Sequence, residues 1–331
     1  MTSNNINRNT LISMLQYMRP AYSMAEEMFC KEYLEPVFGE PDVDNNYICV
    51  VGDKPKIAFT AHTDTVHKSG GIQTLKIEDN FVTSVGSNCL GADCTTGLWL
   101  MLGMIEAGVE GVYVAHAAEE IGGIGSTALV ARNPDWLSHI QACISFDRYG
   151  TNSVITNQGG FRTCSDEFAC SVADTLHMPQ LLPDSGGTYT DSVEYADVVR
   201  ECSNLSVGYY DQHTSRESQD LLFAETLLER LIAASWSTLE IVRDPTLPRD
   251  YSSRGWKNNY YGYIDRKGYD DDDDREEDLN AIRRILLDRP IQVAELLLDY
   301  GLNAESLCEE LQVSFADQMY YTDAMSSKSY Y

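Results

Sequence analysis

Val112-Tyr113-Val114-Ala115 is an apolar run of strand length, and it leads through His116-Ala117-Ala118 into two consecutive acidic residues, Glu119-Glu120. Valine and tyrosine favour extended chain, so the run reads as a strand that delivers the acidic pair at its end. The same arrangement recurs along the chain. Lys56-Ile57-Ala58-Phe59-Thr60-Ala61 ends on His62, Ala142-Cys143-Ile144-Ser145-Phe146 ends on Asp147, and Leu205-Ser206-Val207-Gly208-Tyr209 is followed by His213. Tyr47-Ile48-Cys49-Val50-Val51 reads as a further strand, separated from the His62 strand by the turn-like Gly52-Asp53-Lys54-Pro55. Leu98, Met101, Leu102 and Ile105 recur at helical spacing and predict a helix after Asp93, its N-terminus facing the strand ends. Ser23 with Glu26 forms a capping box that opens a helix through Met28, Phe29 and Tyr33. Leu11, Leu15 and Met18 suggest an earlier amphipathic helix, and Leu221, Leu228, Leu231, Ile232 and Leu239 a closing one. Strands alternating with helices predict an α/β three-layer sandwich around a central mixed, mostly parallel sheet.

In such sheets the carboxyl ends of the strands form the ligand crevice, so residues scattered through the sequence can converge there. His62, Asp93, Glu120, Asp147 and His213 are the imidazoles and carboxylates that a pair of divalent cations needs. Asp93 is the candidate bridge, because its two oxygens can each take one cation. Glu119 is left over to act as a base.

The chain resembles the co-catalytic zinc peptidases of the M20, M28 and M42 families. The resemblance rests on Ala61-His62-Thr63-Asp64-Thr65-Val66, Leu90-Gly91-Ala92-Asp93, Ala118-Glu119-Glu120-Ile121-Gly122, Ser145-Phe146-Asp147 and Gly208-Tyr209-Tyr210-Asp211-Gln212-His213, and covers residues 8 to 242. It implies one metal on His62, Asp93 and Asp147 and a second on His213, Asp93 and Glu120. Asp64 would hold the His62 ring through its other nitrogen, fixing its tautomer. Glu119 would be the general base for attack by a metal-bridging hydroxide on an amide carbonyl, later passing the proton to the leaving amine. Zinc is the expected metal in both positions, although cobalt or manganese also suits mixed His and carboxylate donors.

Two departures from the family pattern stand out. The stretch from Asp147 to His213 is too short for the inserted dimerisation domain of many M20 members, so that lid is expected to be missing. Cys94-Thr95 stands where M20 relatives commonly carry Asp-Lys. Without the lid another group must polarise the carbonyl, and Tyr209, Tyr210 and Tyr149 are candidates, with ordinary packing the alternative for each. Gly186-Gly187-Thr188-Tyr189-Thr190-Asp191-Ser192 reads as a loop lining the cleft, with Asp191 a candidate for gripping a free amino terminus, or else as a plain turn. His67 is placed to reach the cleft, and His116 reads as structural. Arg148 and Arg216 flank the ligand candidates and could bind a substrate carboxylate or pair with local acids.

The formal net charge of −27 over 331 residues disfavours nucleic acid and anionic membranes as partners. Apolar runs fall short of membrane-spanning length, and the first residues lack the basic and apolar regions of a signal peptide, so a cytoplasmic location is expected. Nine cysteines without CxxC spacing read as reduced thiols, mostly buried. Residues 1–244 are expected to form the catalytic domain and 245–276 a linker containing the acidic run Asp270 to Asp274. Residues 277–315 read as a small helical bundle with Pro290 and Gly301 at helix ends, and 316–331 as a disordered tail. The bundle could recruit a protein partner, mediate self-association or pack against the catalytic body. The expected activity is exopeptidase-type hydrolysis of a peptide or acylated amino acid. The alternatives are an N-acyl amino-acid deacylase of the same fold, or a non-catalytic scaffold working through the bundle. A two-metal phosphodiesterase fits the acidic surface poorly.

Overall fold

A computed structural model describes residues 6–86 and 88–247. The expected linker beyond 247, the bundle and the tail lie outside the described residues. Seven strands build the central sheet: β1 Tyr47–Val51, β2 Ile57–His62, β3 Gly111–His116, β4 Ala142–Arg148, β5 Ser153–Ile155, β6 Leu182–Asp184 and β7 Glu201–Ser206. Their spatial order is β6-β5-β7-β4-β2-β3-β1. The central four, β7, β4, β2 and β3, run parallel; β1 joins β3 antiparallel, and β5 meets β7 antiparallel while pairing in parallel with β6. The sheet is therefore mixed and mostly parallel. Although only five residues separate β1 from β2, the two are not neighbours, because β3 lies between them.

Every residue of β2, β3 and β7 is buried, as expected of strands covered on both faces. Alternation along each strand sorts the side chains into two cores. Phe59, Ala61, Tyr113, Ala115, Ile144 and Phe146 face one layer with Leu98, Met101 and Leu227, while Ala58, Val112, Val114 and Cys143 face the other with Leu129, Leu137 and Tyr195. Phe59 stacks on both Phe146 and Tyr113, with ring centroids 5.7 and 5.3 Å apart. These contacts make the three layers.

The longer helices are α1 Arg8–Met14, α2 Met24–Phe29, α3 Ala92–Glu106, α4 Ile124–Arg132, α5 Asp166–Thr175 and α6 Leu221–Ala233. All residues of α3 from Ala92 to Met104 are buried, so this helix has no solvent face over most of its length and sits inside the protein. Several helix boundaries differ from the spacing-based reading. Helix α1 stops before Met18, which instead lies in a two-residue strand paired with Gly71–Ile72. Ser23 caps α2 by accepting from Glu26 N at 3.2 Å, but the Glu26 carboxylate accepts from Tyr22 N rather than Ser23 N and receives the Thr63 hydroxyl. It thus ties α2 to the end of β2. Beyond Phe29 the chain widens into a π-helical turn, Cys30–Leu34. Helix α6 ends before Leu239, where the Trp236 indole donates to Leu231 O at 3.1 Å and packs edge-on against Phe59.

Residues 148–212 contribute β5, α5, β6 and β7 to this one fold. A second antiparallel sheet joins Tyr209–Tyr210, Ser218–Asp220, Phe81–Ser84 and Leu75–Glu78, and its first hairpin carries the loop 211–217. The eight described cysteines are all free, with Cys170 exposed. Among the described residues no helix is long and apolar enough to cross a membrane.

Candidate metal centre

Because β2, β3, β4 and β7 run parallel, their carboxyl ends open on one side, and the chain leaving each brings a polar residue to the same cleft. His62 ends β2, Glu119 and Glu120 follow β3, Asp147 lies near the end of β4, and His213 sits in the loop beyond β7. Asp93 enters from above at the start of α3.

Asp93 lies between the two imidazoles. Its Oδ1 is 3.0 Å from His62 Nε2 and its Oδ2 is 3.1 Å from His213 Nε2. Asp147 Oδ1 is 3.6 Å from His62 Nε2, and Glu120 Oε1 is 3.1 Å from His213 Nε2. One ring N–H cannot serve two carboxylate oxygens at once, and Glu120 Oε1 is buried without a hydrogen bond. Donors bound at ~2.0–2.1 Å around a tetrahedral ion sit about 3.3 Å apart, so the observed spacings are those of groups facing a common centre. Ligand atoms of His62, Asp93 and Glu120, and of His62, Cys94 and Asp147, fall within 4.8 Å of one another.

The support of these groups is built into the backbone. The Glu217 carboxylate, 1% exposed, accepts four main-chain N–H groups, from Leu90 at 2.9 Å, Gly91 at 3.0 Å, Ala92 at 2.7 Å and Asp93 at 3.3 Å. One residue on the His213 loop therefore clamps the turn that carries Asp93. Gly91 has a φ of +74°, and a Cβ there would meet the His67 ring at 2.9 Å, so only glycine suits the turn. The Asp93–Cys94 peptide is cis, and the Cys94 thiol donates to Phe146 O. Asp147 is held by Asn204, which accepts from its N–H at 2.9 Å and donates to its carbonyl at 2.7 Å.

Asp64 meets the Nδ1 side of the His62 ring with both its main chain and its carboxylate. The His62 Nδ1–H lies 3.0 Å from the Asp64 backbone carbonyl, while the Asp64 carboxylate is 3.4 Å away and accepts instead from Glu119 N at 3.0 Å and Glu120 N at 3.1 Å. Asp64 orients the ring with its main chain, and its side chain fixes the loop after β3.

The charge balance of the cleft is lopsided. Asp93, Glu119, Glu120 and Asp147 line it, and Arg148 is the only Arg or Lys among its described lining residues. Burial pushes Glu119 and Asp147 well above the usual carboxylate range, with Asp93 adding to the shift of Asp147; burial, then Asp93, raises Glu120 as well. Burial would also raise Asp93, but hydrogen bonds from His213 and His62 outweigh it and hold Asp93 far below that range. Burial opposes charge on His213, yet Asp93 and Glu120 push it up to about 11. Negative groups so packed, with an orphaned oxygen among them, call for positive charge, and the donor set fits divalent cations.

The other sequence candidates are dispersed. Tyr209 lines the cleft, but its hydroxyl donates to Asp147 O at 3.1 Å. Tyr210 is half-buried and packs towards Phe81, outside the lining. Tyr149 stands at the rim, 43% exposed. Asp191 is 1% exposed and outside the cleft lining, with both carboxylate oxygens buried and without a hydrogen bond; the loop before it supplies Gly187, Thr188 and Tyr189 to the lining. His67 is likewise buried, bonded to Thr65 Oγ1 and Cys89 O, and does not reach the cleft. His116 spans Asn46 Oδ1 at 3.0 Å and Tyr195 OH at 2.9 Å, a structural bridge, with burial lowering its pKa to about 3. Arg216 is exposed, with Asp211 its nearest acid at 3.9 Å. Glu217 and Asn204 are not legible as site residues in the sequence, because they act through backbone groups.

No family model matches the chain, and no curated protein does. Solved structures do. Aminopeptidase PepT from Bacillus cereus matches with a TM-score of 0.55 at 16% identity, over 68% of this chain and 96% of that one. A tripeptidase from Staphylococcus aureus matches at 0.56 and 14% over 68% and 95%, and the TET1 peptidase of Pyrococcus horikoshii at 0.54 and 15% over 71% and 100%. At these identities the likeness is one of fold: the chain folds as these three proteins do, an α/β sandwich about a mixed sheet.

Proposed function

We propose that the chain is a metal-dependent peptidase that hydrolyses an amide bond at the end of a short substrate. The observation that carries this reading is Asp93, whose two oxygens each face a different imidazole in a cleft also lined by Glu119. The aminopeptidase and tripeptidase named among the structures of this fold support it. His62, Asp93 and Asp147 would hold one divalent cation and His213, Asp93 and Glu120 the other, with zinc the best match to these donors. Bound there, the cations would polarise the scissile carbonyl and make water a nucleophile at neutral pH.

The chain's own residues do the rest. Glu119 carries no metal in this assignment, and its carboxylate, raised by burial, takes the proton of the attacking water and returns it to the leaving amine. Asp64 holds Glu119 in place through its backbone N–H. Glu217 fixes Asp93 from behind. The short connection between Asp147 and His213 leaves this cleft without an inserted lid domain.

The test is metal analysis of the purified chain together with hydrolysis assays on peptides and N-acyl amino acids before and after chelation. Two ions per chain and chelator-sensitive hydrolysis are expected. Metal-free protein that cleaves at the same rate would end the reading.

A further inference from the structure

Arg19 follows the two-residue strand Tyr17–Met18 and is fully buried against two of the segments that carry ligand candidates. Its backbone pairs with Thr65, donating to Thr65 Oγ1 at 3.0 Å and accepting from Thr65 N at 2.8 Å. Its guanidinium spans both segments. Nε donates to Thr63 O at 2.8 Å, in the loop after His62, and Nη2 donates to Thr95 Oγ1 at 2.9 Å, two residues after Asp93. The Thr95 hydroxyl donates onward to Gly91 O, in the same turn that Glu217 clamps. Thr63 and Thr65 flank Asp64, whose carboxylate accepts from Glu119 N and Glu120 N. One side chain is thus linked to the three segments that bring His62, Asp93 and Glu120 to the cleft.

Both acceptors of the guanidinium are neutral. The group lies 3.8 Å from the centre of the Phe29 ring, and Nη1 is buried without a hydrogen bond. Burial lowers its pKa to about 10, while Cys30, Glu26 and Asp64 favour the charge. A buried cation with neutral partners and an unmet donor is destabilising, and an apolar side chain would fill the same space with less loss. Repulsion between the guanidinium and a bound cation would also oppose metal binding. What favours arginine here is a planar fork that reaches two acceptors at once. Thr95 stands where the relatives the sequence resembles commonly carry lysine, and in this chain the cationic donor at residue 95 comes from residue 19.

We propose that Arg19 is a positioning residue of the metal centre: its guanidinium ties the loop of His62 to the turn of Asp93 and so sets the separation of two ligands of one cation. This rests on the ligand assignment above and not on which bond is cleaved.

The experiment strips the full chain of metal, reloads it with zinc, and reads zinc retention against a chromogenic chelator beside the denaturant midpoint of the metal-free chain. Arg19→Met fills the space without donors and is expected to weaken retention about 10- to 100-fold, the range for a lost partner of a metal ligand. Arg19→Lys reaches only one of the two acceptors and should fall in between. The double variant Arg19→Ala with Thr95→Lys rebuilds the tie from its other end, an ammonium on residue 95 donating to Thr63 O, and should regain most of the loss. Retention by Arg19→Met equal to or tighter than that of the wild type overturns the proposal. So does a double variant that holds zinc no better than Arg19→Met, because the arginine then acts by packing alone. Should Arg19→Met not fold, Arg19→Lys decides: equal retention overturns the proposal, and weaker retention supports it. A wild-type chain that binds two zinc ions and hydrolyses no peptide ends the peptidase reading and leaves the tie intact, whereas a wild-type chain that binds no zinc ends both.

Discussion

Glu201 and Glu120 are carboxylates at opposite ends of the same sheet, and they differ in where their oxygens go. Glu201 opens β7 at the amino end, fully buried, and accepts from Ser165 N at 2.8 Å, Ser165 Oγ at 2.9 Å, Val242 N at 2.7 Å and Arg243 N at 2.8 Å. Glu120 follows β3 at the carboxyl end, and its buried Oε1 has no hydrogen bond. One charge is satisfied by four donors of the fold, while the other faces only the His213 ring nitrogen at 3.1 Å, which Asp93 also claims. Glu217 shows that location is not the criterion, since it lies beside Asp93 and is as fully bonded as Glu201. Unmet acceptors, more than burial, distinguish Glu120 from Glu201 and Glu217; Asp191, outside the cleft lining, shares the trait, with both oxygens buried and without a hydrogen bond.

The largest effect is expected where a carboxylate neither holds the fold nor, in this assignment, a cation. Glu119→Gln should lower kcat by about 10³-fold or more, the range of a lost general base, while two metal ions per chain remain by elemental analysis. Loss of metal along with activity would move Glu119 into the ligand set and blur the contrast. At the amino end the effect should fall on stability. Glu201→Gln sets an amide N–H₂ against donors that are already backbone N–H groups, at a cost of about 2–4 kcal/mol. A denaturant melt would read this, and kcat per folded molecule at low temperature should stay close to that of the wild type. A large kcat loss without destabilisation would contradict the division between the two ends.

Glu217→Gln lies between these cases and tests whether the clamp serves the site. It should lower stability by about 1–3 kcal/mol and also weaken metal retention, read as loss of one ion per chain in a chelator titration. Destabilisation with both ions held as tightly as in the wild type would place Glu217 wholly with the scaffold.

The two ends also differed in how readable they were. His62, Glu120 and Asp147 each follow a recognisable strand, and a parallel sheet gathers strand ends, so their convergence could be read before any coordinates. Glu217 gave no signal because its partners are backbone N–H groups, which every sequence contains. Asp64 shows the same limit in part: its carbonyl, a group every residue has, lies nearer the His62 ring than its carboxylate does, at 3.0 against 3.4 Å. Asp191 opens a 3-10 helix and His67 lies in a loop, and pattern alone cannot tell a polar residue at such a place that lines a cleft from one outside its lining. Met18 kept helical spacing with Leu11 and Leu15, but pairing with Gly71 ended the helix, a tertiary contact that local periodicity does not contain.

Tyr209→Phe carries the smallest expected effect and decides which side of the contrast the tyrosine belongs to. Its ring is 2% exposed, and its hydroxyl donates to the Asp147 carbonyl at 3.1 Å, with the Asp147 carboxylate 3.4 Å away. An oxyanion donor is free to meet charge that develops during the reaction, and losing one costs about 10²–10³ in kcat. A hydroxyl already bonded to a carbonyl acts by holding Asp147, and removing it should cost the energy of one neutral hydrogen bond, about 1 kcal/mol. The expected result is therefore a loss of less than about tenfold in kcat, with a comparable fall in stability. A hundredfold loss at unchanged stability would mean that the hydroxyl leaves Asp147 during turnover, and Tyr209 would then join Glu120 among the groups whose partner comes from outside the chain.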